Sequence, residues 1–192
     1  MRINDEDLLA FINGRRSTAK VVAPAPGRAE LEAMLRCAMR APDHAMLRPW
    51  RYIVLEGRAL TQLGEAWAAA VAKDQPSSEP KAIEKARGLP LRAPMVVVAV
   101  TKVVDHPKVP AIEQQMSTAS GVAYFLLALQ ARGFGGFWRT GAMAYHPRIR
   151  QFFELSPNES ITGFIYVGTP KPAKEAPPSA ELADHLQYWR PD

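Results

Sequence analysis

The sequence predicts an α+β fold: a mixed β-sheet with helices packed around it in three layers. Three observations carry that reading. "APMVVVAVTKV" (93–103) is a continuous valine-rich run, the pattern of a strand buried on both faces. "AIEQQMSTASGVAYFLLALQAR" (111–132) is a long apolar-rich stretch without proline or a turn cluster, and it reads as a helix. Strands and helices are interspersed along the chain, and some helices are too long or too crowded to be simple crossovers.

The elements follow in order. "NDEDLLAFINGRRS" opens with Asn4 as an N-cap and acids in the first turn. Leu8, Leu9 and Ile12 form an apolar stripe, and the helix is expected to end near Gly14. "VVAPAPGRAE" is a proline-containing connector. Leu31, Met34, Leu35 and Ala38 recur at helical spacing and mark a second helix, which stops before Pro42. "APDHAMLRP" reads as a loop, "WRYIVLEG" as a strand and "RALTQLGEAWAAAVAK" as a helix. A polar break, "DQPSSEP", expected to be mobile, precedes the short helix "KAIEKARGL". The valine strand and the long helix come next, then a glycine-rich strand. A short helix begins at Pro147, and "ITGFIYVGTP" is a last core strand. Residues 1–192 read as one domain, with 171–192 an extended tail rich in proline, alanine and charge.

At 192 residues the chain is long enough for a real core. Its 47% hydrophobic and 22% charged content is ordinary for a globular protein. No apolar run is long enough to span a bilayer, and the N-terminus is acidic where a signal peptide would be basic, so a cytoplasmic location is expected. Cys37 is the single cysteine, so no disulfide forms within the chain; its helical setting reads as a small core position. The net charge of +5 suits either nucleic acid or a phosphorylated small ligand. The basic residues are scattered and not interleaved with aromatics, which argues against nucleic acid.

"GFGGFWRTG" (133–141) superficially matches the glycine fingerprint of a dinucleotide fold. That fingerprint follows a strand and opens a helix. Here a helix precedes and a strand follows, Gly133 falls at the helix C-terminus, and Trp138 stands where the third glycine belongs. Gly135 and Gly136 then need another reason, such as close approach of a neighbour to the strand. In the long helix, the small residues 117–123 ("STASGVA") admit two readings, a tight contact inside the monomer or the centre of a homodimer.

Familiar catalytic sets are absent from the sequence. His44, His106, His146 and His185 have no partners at metal-ligand spacing, and no nucleophile motif or carboxylate pair stands out. No metal site and no catalytic side chain is therefore assigned, and the chemistry is expected to belong to a cofactor. Three polar clusters remain. Arg15, Arg16 and Ser17 follow the first helix and read either as a solvated C-terminus or as an anion clamp. "RAPDHAMLRPW" (40–50) reads either as a turn capped by Asp43 or as a cationic loop. Trp138, Arg139 and Thr140 put a guanidinium in a core strand, where it needs an anion.

Taken in order, "RRS", "APDH…PW" and "GFGGFWRTG" resemble the motifs of the nitroreductase-like FMN-dependent oxidoreductases, closest to the short bacterial NAD(P)H nitroreductase subgroup. The resemblance covers roughly Leu8 to Pro170. It implies a homodimer with FMN at the subunit interface. It further implies that Arg15, Arg16 and Ser17 hold the phosphate and ribityl chain, that Arg40 and His44 reach in from the partner, and that Trp138, Arg139 and Thr140 complete the site, with Arg139 at the phosphate. A stretch matching Ala128–Gly133 is assigned to the nicotinamide nucleotide in that subgroup. The implied reaction is ping-pong: NADH or NADPH reduces the flavin, then a small acceptor (a nitroaromatic, a quinone or similar) takes the electrons. A flavin-binding redox protein without turnover and a flavin-dependent dehalogenase are the alternatives on the same fold. Met46 and Arg48 depart from the polar residue and glutamine common in that family, which bears on the acceptor more than on the flavin.

Overall fold

The valine run has no polar side chain before Thr101, so it must be covered on both faces, and it forms the middle of the sheet. The structure is a computed structural model that describes residues 4–74, 79–172 and 180–189. Its strands are β1 (Val21–Val22), β2 (Trp50–Glu56), β3 (Met95–Lys102), β4 (Gly135–Arg139) and β5 (Glu159–Pro170). The order is β1-β5-β3-β2, with β4 also paired to β5. Val167 pairs with Met95 on one side and Gly136 on the other, so β3 and β4 flank β5 on opposite edges.

The helices are α1 (Asp5–Asn13), α2 (Arg28–Ala38), α3 (Arg58–Asp74), α4 (Pro80–Gly88), α5 (Ala111–Ala131), α6 (Ala142–Tyr145) and α7 (Pro147–Phe152). They make the outer two of three layers. Val96, Val98 and Val100 point to one core with Leu63 and Trp67 of α3 and Ile149 of α7. Met95, Val97 and Ala99 point to the other, with Leu31 and Met34 of α2 and Phe125 and Leu129 of α5. Period-two alternation with both faces apolar is why this strand reads as a continuous run. A bulge between Ala99 and Val100 skips Thr162, and puts Ile161 and Phe164 of β5 in the same core despite their odd spacing.

The α+β expectation is met. Its mixed sheet is refined in one respect: the pairings between the described strands are antiparallel. Asn4 caps α1 through the Glu6 N–H, and α5 ends in a Schellman motif. Gly133 adopts φ 76°, its N–H donates to Gln130, and the Phe134 N–H donates to Leu129 at 2.9 Å. Within the small-residue run of α5, Gly121 serves a contact inside the chain. A Cβ on Gly121 would lie 2.9 Å from the Ala38 carbonyl oxygen and 2.9 Å from the Tyr52 hydroxyl.

Several expectations are corrected. The stripe Leu8, Leu9 and Ile12 on α1 is exposed, because no other element of the described chain covers it. Cys37 is exposed as well: it lies on the outer face of α2, one residue before buried Ala38. The connector after "RRS" contains β1, and α6 precedes the helix expected at Pro147. The polar break at 75–78 and part of the expected tail, 173–179, lie outside the described residues; 180–189 is exposed, with a 3-10 turn at Leu182–Asp184.

Candidate functional site

The glycines of β4 determine how closely its neighbours approach. A Cβ on Gly135 would stand 2.8 Å from Thr18 and 2.9 Å from Val21, and one on Gly136 2.6 Å from Leu126. Thr18 also donates its N–H to the Gly136 carbonyl at 2.9 Å. That bond draws the "RRS" segment along the free edge of β4, three residues from Arg139. The sequence supplied the reason for two glycines; the contact partner, Thr18, needed the fold.

Arg139 is the last residue of β4 rather than its middle, and is half-buried. Its guanidinium lies 4.5 Å from the centre of the Phe137 ring and 5.6 Å from that of Tyr166, a cation–π seat, and among the described residues it makes no ion pair. Burial pushes the Tyr166 phenol up to about 12, against the opposing pull of Arg139 and Arg92. Trp138 points to the opposite face and donates to the Thr162 carbonyl at 3.2 Å. There it packs over Gly163, where any Cβ would overlap the indole.

Clefts run beside this edge and share lining residues. One of about 320 Å³ lies between Arg16, Gln130 and Gly136. The next, about 310 Å³, is lined by Arg16, Ser17, Lys20 and Lys171. A third, about 430 Å³, joins Lys20 and Lys171 to Arg92 and Arg139. The last, about 400 Å³, is aromatic, with Trp67, Phe137, Trp138, Arg139, Thr140 and Tyr166 on its walls. Trp67 is buried, and among the described residues its indole N–H has no hydrogen-bond partner. Gln130 and Gly133, from the expected nicotinamide stretch, line the first of these clefts.

The structure therefore gathers Arg16, Ser17, Trp138, Arg139 and Thr140 along one edge. Arg15 is exposed at the end of α1. Arg40 and His44 are elsewhere. Arg40 lines a separate cleft of about 290 Å³ with Met46, Arg48 and Trp50. His44 Nδ1 lies 2.7 Å from the Glu113 carboxylate of α5, with its side chain 54% exposed. The loop between α2 and β2 is held by Asp43, whose carboxylate accepts the Arg48 N–H at 2.6 Å. Ala45, Met46 and Arg48 all take positive φ, a conformation that costs a non-glycine residue free energy. Met46 is 78% exposed. Both readings of this loop hold at once: Asp43 caps the turn, and the turn presents cations.

Sequence reasoning missed Lys20, Arg92, Lys171 and Trp67. Only Lys20 lies near a recognised motif, and nothing local distinguishes the others from ordinary surface or core residues. Among the described residues no group of three or more His, Cys, Asp and Glu side chains is placed to hold a metal ion, and no helix is long and apolar enough to cross a membrane.

A model of the nitroreductase family matches residues 12–169. The chain belongs to the nitroreductase family. "Putative NAD(P)H nitroreductase YdjA" of Escherichia coli K12 is 39% identical over 168 residues, which span 86% of this chain and 89% of that protein. A nitroreductase-like family protein from Bacillus cereus superposes with a TM-score of 0.82 at 20% identity, covering 98% of both chains. NfnB from sphigopyxis sp. strain HMH, an FMN and NADPH-dependent nitroreductase solved as a mutant, gives 0.76 at 16% identity, over 97% of this chain and 99% of its own. At those identities the two structures speak for the shared nitroreductase fold. The family match encloses all three polar clusters and omits most of α1.

Proposed function

We propose that the protein is an FMN-dependent NAD(P)H oxidoreductase that reduces a small acceptor, and that it works as a homodimer. The observation that carries this reading is the set of free donors on the β4 edge: Arg16, Ser17 and Arg139 face solvent-open clefts, and among the described residues no carboxylate pairs with either arginine. Bound FMN would supply the hydride-accepting centre that the chain's own side chains lack.

The residues fit that group. Guanidiniums and a hydroxyl suit a phosphate monoester, and the aromatic cleft beside Arg139 offers apolar walls to a planar ring. Arg139 and its neighbours also favour negative charge near the ring, and so favour reduction. Arg40 and His44 sit on a different part of the surface, as a shared site requires. Exposed Leu8, Leu9 and Ile12 of α1, with Ile112, Met116 and Tyr124 of α5, supply apolar area for a second copy. The protein's role is to bind, orient and shield, and no side chain need act as acid, base or nucleophile. E. coli YdjA, 39% identical, carries the NAD(P)H nitroreductase name, which supports the choice of electron donor.

Complementation tests the shared site. Arg139→Ala and His44→Ala, made alone, are each expected to lose flavin. Co-expressed and paired at random, about half of the dimers are heterodimers with one intact and one doubly damaged site, so flavin is expected back at about a quarter of all sites, and at about half of the sites in the isolated heterodimer. Mixed dimers that stay colourless would show that the two residues do not meet at one flavin.

A further inference from the structure

The loop between α2 and β2 is strained and firmly held at the same time. Ala45, Met46 and Arg48 take φ of 61°, 53° and 50°, the left-handed region that glycine occupies without cost. The Arg48 N–H donates to the Asp43 carboxylate at 2.6 Å. The Pro49 carbonyl accepts from the Lys102 N–H at 2.8 Å and from the Thr118 hydroxyl at 3.2 Å, which ties the end of the loop to β3 and α5. The backbone at Arg48 is therefore fixed. Its side chain is exposed, and among the described residues it makes no ion pair. Glycine would meet the same backbone geometry with less strain, so the fold gives no reason for an arginine here.

The same loop walls a cleft of about 290 Å³. Trp50, Met39 and Met46 give it aromatic and thioether surfaces, suited to a flat body of about one ring. Arg40 and Arg48 line it as well. Under the shared-site reading Arg40 faces the flavin of the second copy, which leaves Arg48 for a second ligand. Asp43, also in the wall, has one carboxylate oxygen committed to the Arg48 N–H. A single free guanidinium beside that carboxylate suits a monoanion and gives too little charge for a phosphate dianion. Among monoanions a carboxylate matches the guanidinium fork through two parallel hydrogen bonds.

We propose that Arg48 selects the electron acceptor, holding the carboxylate of a singly charged aromatic substrate beside Trp50 and Met46. The inference rests on the oxidoreductase reading, in which His44 of the same loop meets the flavin of the second copy, and it adds a substrate class to that reading. With a nitrobenzoate as acceptor, NAD(P)H and one proton supply two electrons and two hydrogens. One N–O bond breaks, and a nitrosobenzoate, water and NAD(P)+ are released. Arg48 transfers nothing in that reaction and only orients the ring.

The test compares para-nitrobenzoate with para-nitrobenzamide, which loses the charge and keeps the ring and the nitro group. It uses the full chain and the variants Arg48→Gln and Arg48→Gly. The ratio of kcat/KM for the carboxylate over the amide is set against the wild-type ratio, which cancels the intrinsic reactivities of the two acceptors. That ratio is expected to fall about tenfold or more in both variants, through KM, and to fall with added salt in the wild type. Arg48→Gly relieves the strained φ and is expected to melt at about the wild-type temperature. An unchanged ratio in Arg48→Gln would overturn the proposal. So would an Arg48→Gly chain that melts far lower, because the side chain would then be holding the loop. A failed oxidoreductase reading shows differently, as a wild type that takes up no FMN and oxidises no NAD(P)H. Calorimetry with benzoate then decides the seat alone: binding about tenfold weaker in Arg48→Gln upholds it, and equal binding in the two chains overturns it.

Discussion

β3 and β4 lie on opposite edges of β5 and have opposite compositions. β3 is valine-rich and buried along its length to Thr101, with its alternate residues divided between two cores. β4 opens with two glycines and closes with a half-buried arginine, and at its outer edge the Gly136 carbonyl accepts the Thr18 N–H. One strand is written for packing. The other gives up side-chain packing so that a loop and a helix can approach its backbone, and it ends on a charge with no carboxylate partner among the described residues. The same sheet thus separates what holds the fold from the proposed site, and substitutions on the two strands are expected to fail in different ways.

The largest effect is expected on the packing side. Val98→Asp places a carboxylate where no water or cation reaches, and should cost about 4 kcal/mol or more. Urea unfolding of the purified variant, or its absence from the soluble fraction, checks this. Gly163→Ala tests the joint between the strands. Its methyl group would overlap the Trp138 indole, forcing β4 away from β5 at a cost of about 1–3 kcal/mol. Flavin should be lost along with the stability, measured on one sample by melting and by absorbance. Arg139→Ala sharpens the contrast. Stability should change by less than about 1 kcal/mol, while FMN affinity falls about 10- to 100-fold. Equal losses of stability from Arg139→Ala and Gly163→Ala would erase the distinction between the strands.

The smallest predicted effect concerns the entry to β5. Glu159 is 6% exposed, with Arg51 Nε at 2.9 Å and the Ser156 N–H at 3.0 Å from its carboxylate. The hydrogen bond from Arg51, ahead of the Ser156 N–H, holds its carboxyl below the usual range against the opposing effect of burial. A folded pKa below the unfolded value means the stabilisation is complete above about pH 4.3, the unfolded carboxylate value, and is lost as pH falls through the lower folded one. Glu159→Gln should therefore flatten the acid limb of a stability–pH profile and leave flavin binding unchanged. A profile unaltered by the substitution would remove Glu159 from the account.

Much of the fold was legible because single elements announce themselves. The valine run, the α2 stripe and Gly133 at the end of α5 each follow from local rules of burial or backbone geometry. The misreadings share a cause. The α1 stripe and Cys37 sit in helical patterns, and periodicity says that a face is apolar without saying what covers it. β1 is two residues long, too short to leave a pattern. The site divides the same way. Arg16, Ser17 and Arg139 stand in recognisable motifs. Lys20, Arg92 and Lys171 acquire meaning only when the register of β1 on β5 brings them to one cleft.

The central claim is that the unpaired donors along β4 exist to hold a flavin. The visible absorption spectrum of the purified protein, with the released chromophore identified, tests it most directly. The account predicts a yellow protein carrying FMN at about one per chain, since each chain contributes one β4 edge. A colourless protein that takes up no added FMN would contradict it, and would leave the chain in the nitroreductase family by fold but without its cofactor.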